Sequence, residues 1–204
     1  MLNFILKAGY FFYNKIMKAF LPRAFIRHIH SHLKRGGLIV YPTEASFGIG
    51  ALPFHPKGRR RVLHLKKRNA QKGLILIGAT LNDFRGLILA KEQQNYQKQL
   101  QEAWPSNKTF LLAAKTTVPP ALRGSGHKKI AVRISGYSPT RLLSKRLQTP
   151  LISTSANISG AKAIISIREA VLRYKNKALV VPYRIKGDKK PSEIWDLEKN
   201  IRLR

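Results

Sequence analysis

The sequence predicts a single α/β domain, and three observations predict it. Short apolar runs rich in β-branched residues read as buried strands, amphipathic stretches with helix caps lie between them, and 204 residues suit one domain with a sizeable core. Hydrophobic residues make up 44% of the chain, which is ordinary for a globular protein. No internal repeat, low-complexity segment or long linker divides it.

From Pro22 onward, Phe25, Ile26, Ile29 and Leu33 give one apolar helical face, closed by Gly36-Gly37. Leu38-Ile39-Val40-Tyr41 reads as a buried strand that Pro42 stops, because proline cannot donate to a ladder. The strand exits into Thr43-Glu44-Ala45-Ser46-Phe47-Gly48-Ile49-Gly50, read as a polar, glycine-bearing loop. A short helix spans about 59–65 and packs Val62 and Leu63; Leu74 to Ile77 is a strand, and 83–103 a polar, surface-lying helix. Thr109 to Ala114 and Ile130 to Ile134 are strands. Ser138-Pro139 starts a helix with serine as N-cap and proline at its first position. Leu151-Ile152 is a short strand opening into the loop Ser153 to Gly160. Ser166 and Glu169 form a capping box, with Ile167, Ala170, Val171 and Tyr174 on one face. Leu179 to Val181 and Ile194 to Leu197 complete the strands.

The charge is unusual. Against 39 Lys+Arg stand 9 Asp+Glu, a formal +30. From Ala103 to Arg168 there is no acidic residue and there are eleven basic ones. Such a field attracts phosphate-bearing partners and makes association salt-dependent; compositional drift toward lysine explains the total equally well. With no cysteine, a disulfide framework, a thiolate metal site and a cysteine nucleophile are excluded. Leu2 to Phe20 is apolar, but Lys7, Lys15 and Lys18 interrupt it well short of a spanning segment, and no signal-peptide cleavage pattern is present. The expectation is a cytoplasmic protein with no membrane partner. Residues 1–16 are expected to be a non-native or disordered extension, with Met17 as an alternative start and 17–204 as the domain; a peripheral amphipathic anchor is the other reading.

Strand ends leading into polar, glycine-bearing segments are where α/β proteins bind small molecules. Thr43, Glu44 and Phe47 therefore either wall a pocket or cap the next turn. Lys66 and Arg68, two apart just past a helix end, either reach one anion together or are solvated surface. Ser155 and Asn157 share that spacing in a loop rich in neutral donors, suited to phosphate or ribose, or in a turn satisfied by its own side chains. Arg133, inside an apolar strand, needs a partner: it faces solvent, or a bound carboxylate or phosphate. Thr109 is strand filler or a pocket hydroxyl. His28, His30 and His32 alternate on a helix and share no face, and no GxxxxGK[ST], GxGxxG or GxSxG occurs. No metal-ligating residue is assigned.

Tyr41 to Gly50, Leu65 to Arg68 with Lys72 to Ile77, Ala131-Val132-Arg133, Pro150 to Gly160 and Pro191-Ser192-Glu193-Ile194 occur in the order found in the YrdC/TsaC family of threonylcarbamoyl-AMP synthases. The chain resembles the short bacterial form. The resemblance implies a YrdC-like domain, a twisted mixed sheet flanked by helices around a basic cavity. It also implies a nucleotidyltransferase reaction: L-threonine, bicarbonate and ATP give threonylcarbamoyl-adenylate and pyrophosphate, for N6-threonylcarbamoyladenosine at tRNA position 37. By the same resemblance Lys66, Arg68, Ser155, Asn157 and Ser192 bind the nucleotide, and Thr43, Phe47, Arg133 and Thr109 the threonine. No residue is assigned as a catalytic acid or base; Lys66 and Arg68 stabilise the transferring phosphate. ATP is a substrate, with Mg²⁺ carried on its phosphates. The implied macromolecular partners are tRNA or double-stranded RNA and a downstream threonylcarbamoyl-transferase complex. The rival class is a non-catalytic RNA-binding module on the same charged concavity.

One departure stands out. Where that family reads W-P-G-P-x-T, this chain has Trp104-Pro105-Ser106-Asn107-Lys108-Thr109. Serine in place of glycine strains the loop if that position needs positive φ. Glu44 has a clear place in the motif, and its expected role is anchoring or a water contact.

Overall fold

Period-two alternation in the strands organises the molecule. The structure, a computed structural model, describes residues 21–67, 73–124, 126–157, 161–188 and 190–204; the expectations for residues 1–16 and for Arg68 fall outside these. The strands are β1 (Ile39–Pro42), β2 (Phe47–Gly50), β3 (Ile75–Gly78), β4 (Lys108–Ala113), β5 (Lys129–Ile134), β6 (Leu151–Ser155), β7 (Leu179–Val180), β8 (Glu193–Asp196) and β9 (Ile201–Arg202). Among the described residues they form one mixed sheet in the order β7-β1-β2-β6-β3-β5-β4-β8-β9. The helices are α1 (Arg23–Lys34), α2 (Pro56–Lys66), α3 (Ala90–Ala103), α4 (Pro120–Arg123), α5 (Ser138–Leu147) and α6 (Ile167–Tyr174).

One core runs along one face of the sheet from β1 to β4, taking Val40, Phe47, Ile49, Leu76, Phe110, Leu112, Ile130, Val132 and Ile152. The alternate residues of β1, Ile39 and Tyr41, belong to a second core with Leu151, Ile29 and Leu33 of α1, and Leu143 and Leu147 of α5. This second core covers the β7-β1-β2 end of the other face and reaches Leu151 at the start of β6. Both faces are buried there, which is why β1 reads as an unbroken apolar run rather than an alternation. Burial pushes the Tyr41 hydroxyl well above its ordinary pKa.

The structure changes several sequence expectations. Phe47 to Gly50 is no loop but strand β2, paired antiparallel to both β1 and β6. The glycines serve packing: a Cβ on Gly50 would sit 2.7 Å from Tyr41 Cε1, so glycine makes room for the ring. β6 extends through Ser155, and α2 begins at Pro56 and includes Lys66, with Lys67 ending it in the left-handed region at φ 46°. The expected helix over 83–103 is two elements, a 3-10 turn at Leu81–Phe84 and then α3. Phe84, Leu87 and Ile88 between them are buried, so tertiary burial breaks the run. Ser138 is the first residue of α5 rather than its cap. Half of the expected capping box forms: Ser166 Oγ accepts from Glu169 N at 3.1 Å, while the Glu169 carboxylate turns to Arg173 at 3.5 Å. Val171 is exposed, although Ala170 and Tyr174 are buried as expected. Ser106 does not adopt positive φ, so the glycine departure brings no backbone strain.

Candidate functional site

Beyond the reach of the second core, the same face of the sheet is left open. Along β6, Leu151 packs in that core, while Ser153 and Ser155, two and four residues further, line a cavity of about 780 Å³. The volume lies in the range of roughly 300–1,000 Å³ usual for small-molecule sites. Its floor is a row of residues in cross-strand register: Ser153 opposite Ile75, Ile75 opposite Ala131, Ala131 opposite Leu111, and Leu111 opposite Asp196. On β5, Ile130 and Val132 point into the main core, while Lys129, Ala131 and Arg133 line the cavity. This explains a guanidinium in an apolar strand.

Arg133 is 6% exposed and Glu44 2%. Arg133 Nη2 lies 3.4 Å from Glu44 Oε2, and Nη1 donates to Asn107 Oδ1 at 3.0 Å. Arg133 Nε is buried with no hydrogen-bond partner. The other Glu44 oxygen accepts from Ser135 Oγ at 2.7 Å and from Gly136 N at 2.9 Å. Glu44 is thus the internal counter-ion of Arg133 and ties the β1–β2 turn to the end of β5. The sequence offered solvent or a ligand as partner for Arg133, and the structure supplies this carboxylate.

Thr43 and Phe47 both line the cavity, and the Thr43 hydroxyl donates to Ser46 O at 2.7 Å, closing the turn. Pocket wall and turn cap are therefore the same residue. Phe47 is fully buried in the main core. Ser155 lines the cavity, with Lys66 directly behind it. Lys66, 3% exposed, donates to Ser155 O at 2.7 Å, to Ser155 Oγ at 3.3 Å and to Asn157 O. Asn157 Nδ2 donates to Ala161 O at 2.5 Å, and its buried Oδ1 has no hydrogen-bond partner among the described residues. Lys66 and Asn157 are thus joined to Ser155 without themselves lining the cavity. Thr109 is fully buried and donates to Ser192 Oγ at 3.3 Å; Ser192, a lining residue, also accepts from Arg204 Nη2 at 3.1 Å.

Sequence reasoning missed the rest of the wall. Arg123, His127, Lys128, Lys129, Lys199 and Arg204 also line the cavity, and only the basic span after Ala103 hinted at some of them. Lys129 meets Asp196 at 2.7 Å and Glu198 at 2.5 Å. Partial burial opposes the charge on both Lys129 and Asp196, yet their pairing prevails, raising the lysine and lowering the aspartate. Among the described residues no group of three acidic or histidine side chains is placed to hold a metal ion, and no helix is long and apolar enough to cross a membrane.

A mixed sheet covered by helices on one face and only in part on the other, with a cavity of small-molecule size on its open stretch, defines the class as an α/β domain with a ligand-sized pocket. The family model described as telomere recombination, for Sua5, YciO and YrdC proteins, matches residues 31–204, and the chain belongs to that family. A threonylcarbamoyl-AMP synthase of Neisseria meningitidis is 43% identical over 180 residues, spanning 87% of this chain and 94% of that protein. One of Chromobacterium violaceum is 42% identical over 174 residues, 84% of this chain and 88% of its own. Among solved structures, P. abyssi Sua5 complexed with L-threonine matches with a TM-score of 0.75 at 24% identity, covering 87% of this chain and 52% of that one, so this chain spans about half of it. E. coli YciO matches with a TM-score of 0.72 at 20% identity, covering 90% and 89%. The fold of this chain is shared with these two solved structures.

Proposed function

We propose that this protein is a threonylcarbamoyl-AMP synthase, a nucleotidyltransferase joining L-threonine, bicarbonate and ATP. The observation that carries the reading is the 43% identity to a chain of that name across 94% of its length. The cavity supports it by bringing together blocks far apart in sequence. In the first step the threonine nitrogen attacks the bicarbonate carbon and water leaves. In the second, a carbamate oxygen attacks the α-phosphorus of ATP, a P–O bond forms, and pyrophosphate departs. The carbamate is already an anion, so the second step needs positioning and charge neutralisation rather than a strong protein base.

Arg133 and Thr43 hold the threonine, its carboxylate at the guanidinium; Phe47, with its ring in the main core, anchors the strand that follows Thr43, and Thr109 supports Ser192. Ser155 offers a neutral donor to the nucleotide, with Lys66 and Asn157 holding its strand end from behind, and Arg68 and Ser192 serve the phosphates. The basic lining residues outnumber the acidic ones, which favours an anionic ligand. Mg²⁺ enters as the counter-ion of the ATP phosphates: Glu44, Asp196 and Glu198 are each tied to a cation of the chain, so they make no carboxylate cage for it. The adenylate then passes to a transferase complex that modifies tRNA. Incubating the protein with ATP, threonine and labelled bicarbonate is expected to yield pyrophosphate and a labelled adenylate together. Absence of any threonine-dependent product across a magnesium series would overturn the assignment.

A further inference from the structure

We propose that Asn107 is a positioning residue for Arg133, and that it thereby sets how tightly the cavity holds the carboxylate of its amino-acid substrate. The inference rests on the threonine-binding reading of Arg133. Asn107 lies at the departure from the W-P-G-P pattern, and no role attaches to it there. Its amide is used at both ends: Oδ1 accepts from Arg133 Nη1 at 3.0 Å, and Nδ2 donates to Pro191 O at 3.3 Å. The reverse orientation would set a donor against the guanidinium and an acceptor against a carbonyl, so the network fixes which way the amide faces.

Asn107 holds the guanidinium by a hydrogen bond at Nη1, while Glu44 faces Nη2 as a charge partner at 3.4 Å whose Oε2 makes no hydrogen bond among the described residues. The two supports are registered to the same stretch of chain. Glu44 is held by Ser135 and Gly136. The neighbour of Asn107, Ser106, donates its N–H to Ile134 O at 3.1 Å and accepts from Gly136 N at 3.0 Å. A planar fork hydrogen-bonded at one nitrogen and charge-paired at the other loses much of its freedom to swing about its flexible stem, so part of the ordering that carboxylate binding requires is done before the ligand arrives. Through Pro191, the same amide also tethers the segment that carries Ser192.

The test uses Asn107→Leu, which keeps the volume and removes both hydrogen bonds, and Asn107→Asp, which keeps the acceptor for Arg133 and loses the donor to Pro191. Rotation about the Arg133 Nε–Cζ bond, read by side-chain NMR without any ligand, is expected to quicken about tenfold in the leucine variant, as loss of one hydrogen bond to a charged group implies, and to stay slow in the aspartate variant. In steady-state assays the leucine variant raises the KM for threonine about tenfold, with the KM for ATP moving less than about twofold. Unchanged rotation in the leucine variant overturns the proposal. So does a parallel rise in both KM values, which marks a merely structural role. Should the leucine variant fail to fold, Asn107→Ala answers the same two measurements. Loss of threonine-dependent product in the unsubstituted protein overturns the functional reading instead, and the rotation measurement still decides whether Asn107 positions the guanidinium.

Discussion

The two ends of the sheet are built from similar strands and do different work. At the β7-β1-β2 end both faces are covered, one by the main core and the other by α1 and α5. From β6 to β8 the main core covers one face only, and the other becomes the floor of the cavity. The difference lies in what occupies alternate positions. Ile39 and Tyr41 of β1 meet helices, whereas Ser153, Ser155, Ala131 and Arg133 are small or polar and meet no helical cover. Binding space here is a stretch of sheet that lacks a helix.

The largest effect is expected where the two ends join. Glu44→Ala leaves Arg133 buried without its counter-ion and strips the acceptor from the Ser135 hydroxyl, costing about 3–5 kcal/mol. Urea unfolding measures this, and a loss below about 1 kcal/mol would show the pair behaving as a surface contact. Ile39→Ala, deep in the doubly covered end, should cost about 2–5 kcal/mol yet leave the KM values of the folded fraction unchanged. A changed KM would mean that the two ends are coupled. Ala131→Leu should do the reverse. It fills the floor between Ile75 and Leu111, shifting stability by less than about 1 kcal/mol while lowering kcat/KM by about 100-fold; full activity would show that ligands do not rest on that row.

The smallest effect is electrostatic. The lowered Asp196 contributes stability that is present above its unfolded pKa of about 4 and lost as pH falls further. The raised Lys129 contributes stability that is present below about 10.4 and lost as pH rises past its folded value. Lys129→Met should therefore lower the unfolding free energy in the neutral range, by less than about 1 kcal/mol, with the loss shrinking at acid pH as Asp196 takes up its proton. An equal difference at pH 2 and pH 7 would remove the ion pair as its cause.

Most strands were legible because apolar β-branched runs such as Leu38 to Tyr41 and Ile130 to Ile134 carry their own signal. Boundaries that burial decides were not. Phe84, Leu87 and Ile88 interrupt what reads as one polar helix, and Phe47 to Gly50 pairs as a strand although its glycines suggest a loop. In the site, the motif residues Thr43, Phe47, Arg133, Ser155 and Ser192 stood out in the chain and line one cavity. Asn107 stood out only as a departure from a pattern, and Ser135, Gly136 and Arg204 not at all, since isolated polar residues carry no period.

Composition, alternation and motif order by themselves determined the α/β class, most of the strands and several of the residues that line the cavity. Tertiary structure alone decided which face of the sheet stays uncovered, that Glu44 is the partner of Arg133, and that Lys66 holds Ser155 and Asn157 from behind. The reason is physical: periodicity is a local property that a segment carries with it. The pairing of a buried charge is made across 89 residues of chain, from Glu44 to Arg133, and exists only once the strands have found their register.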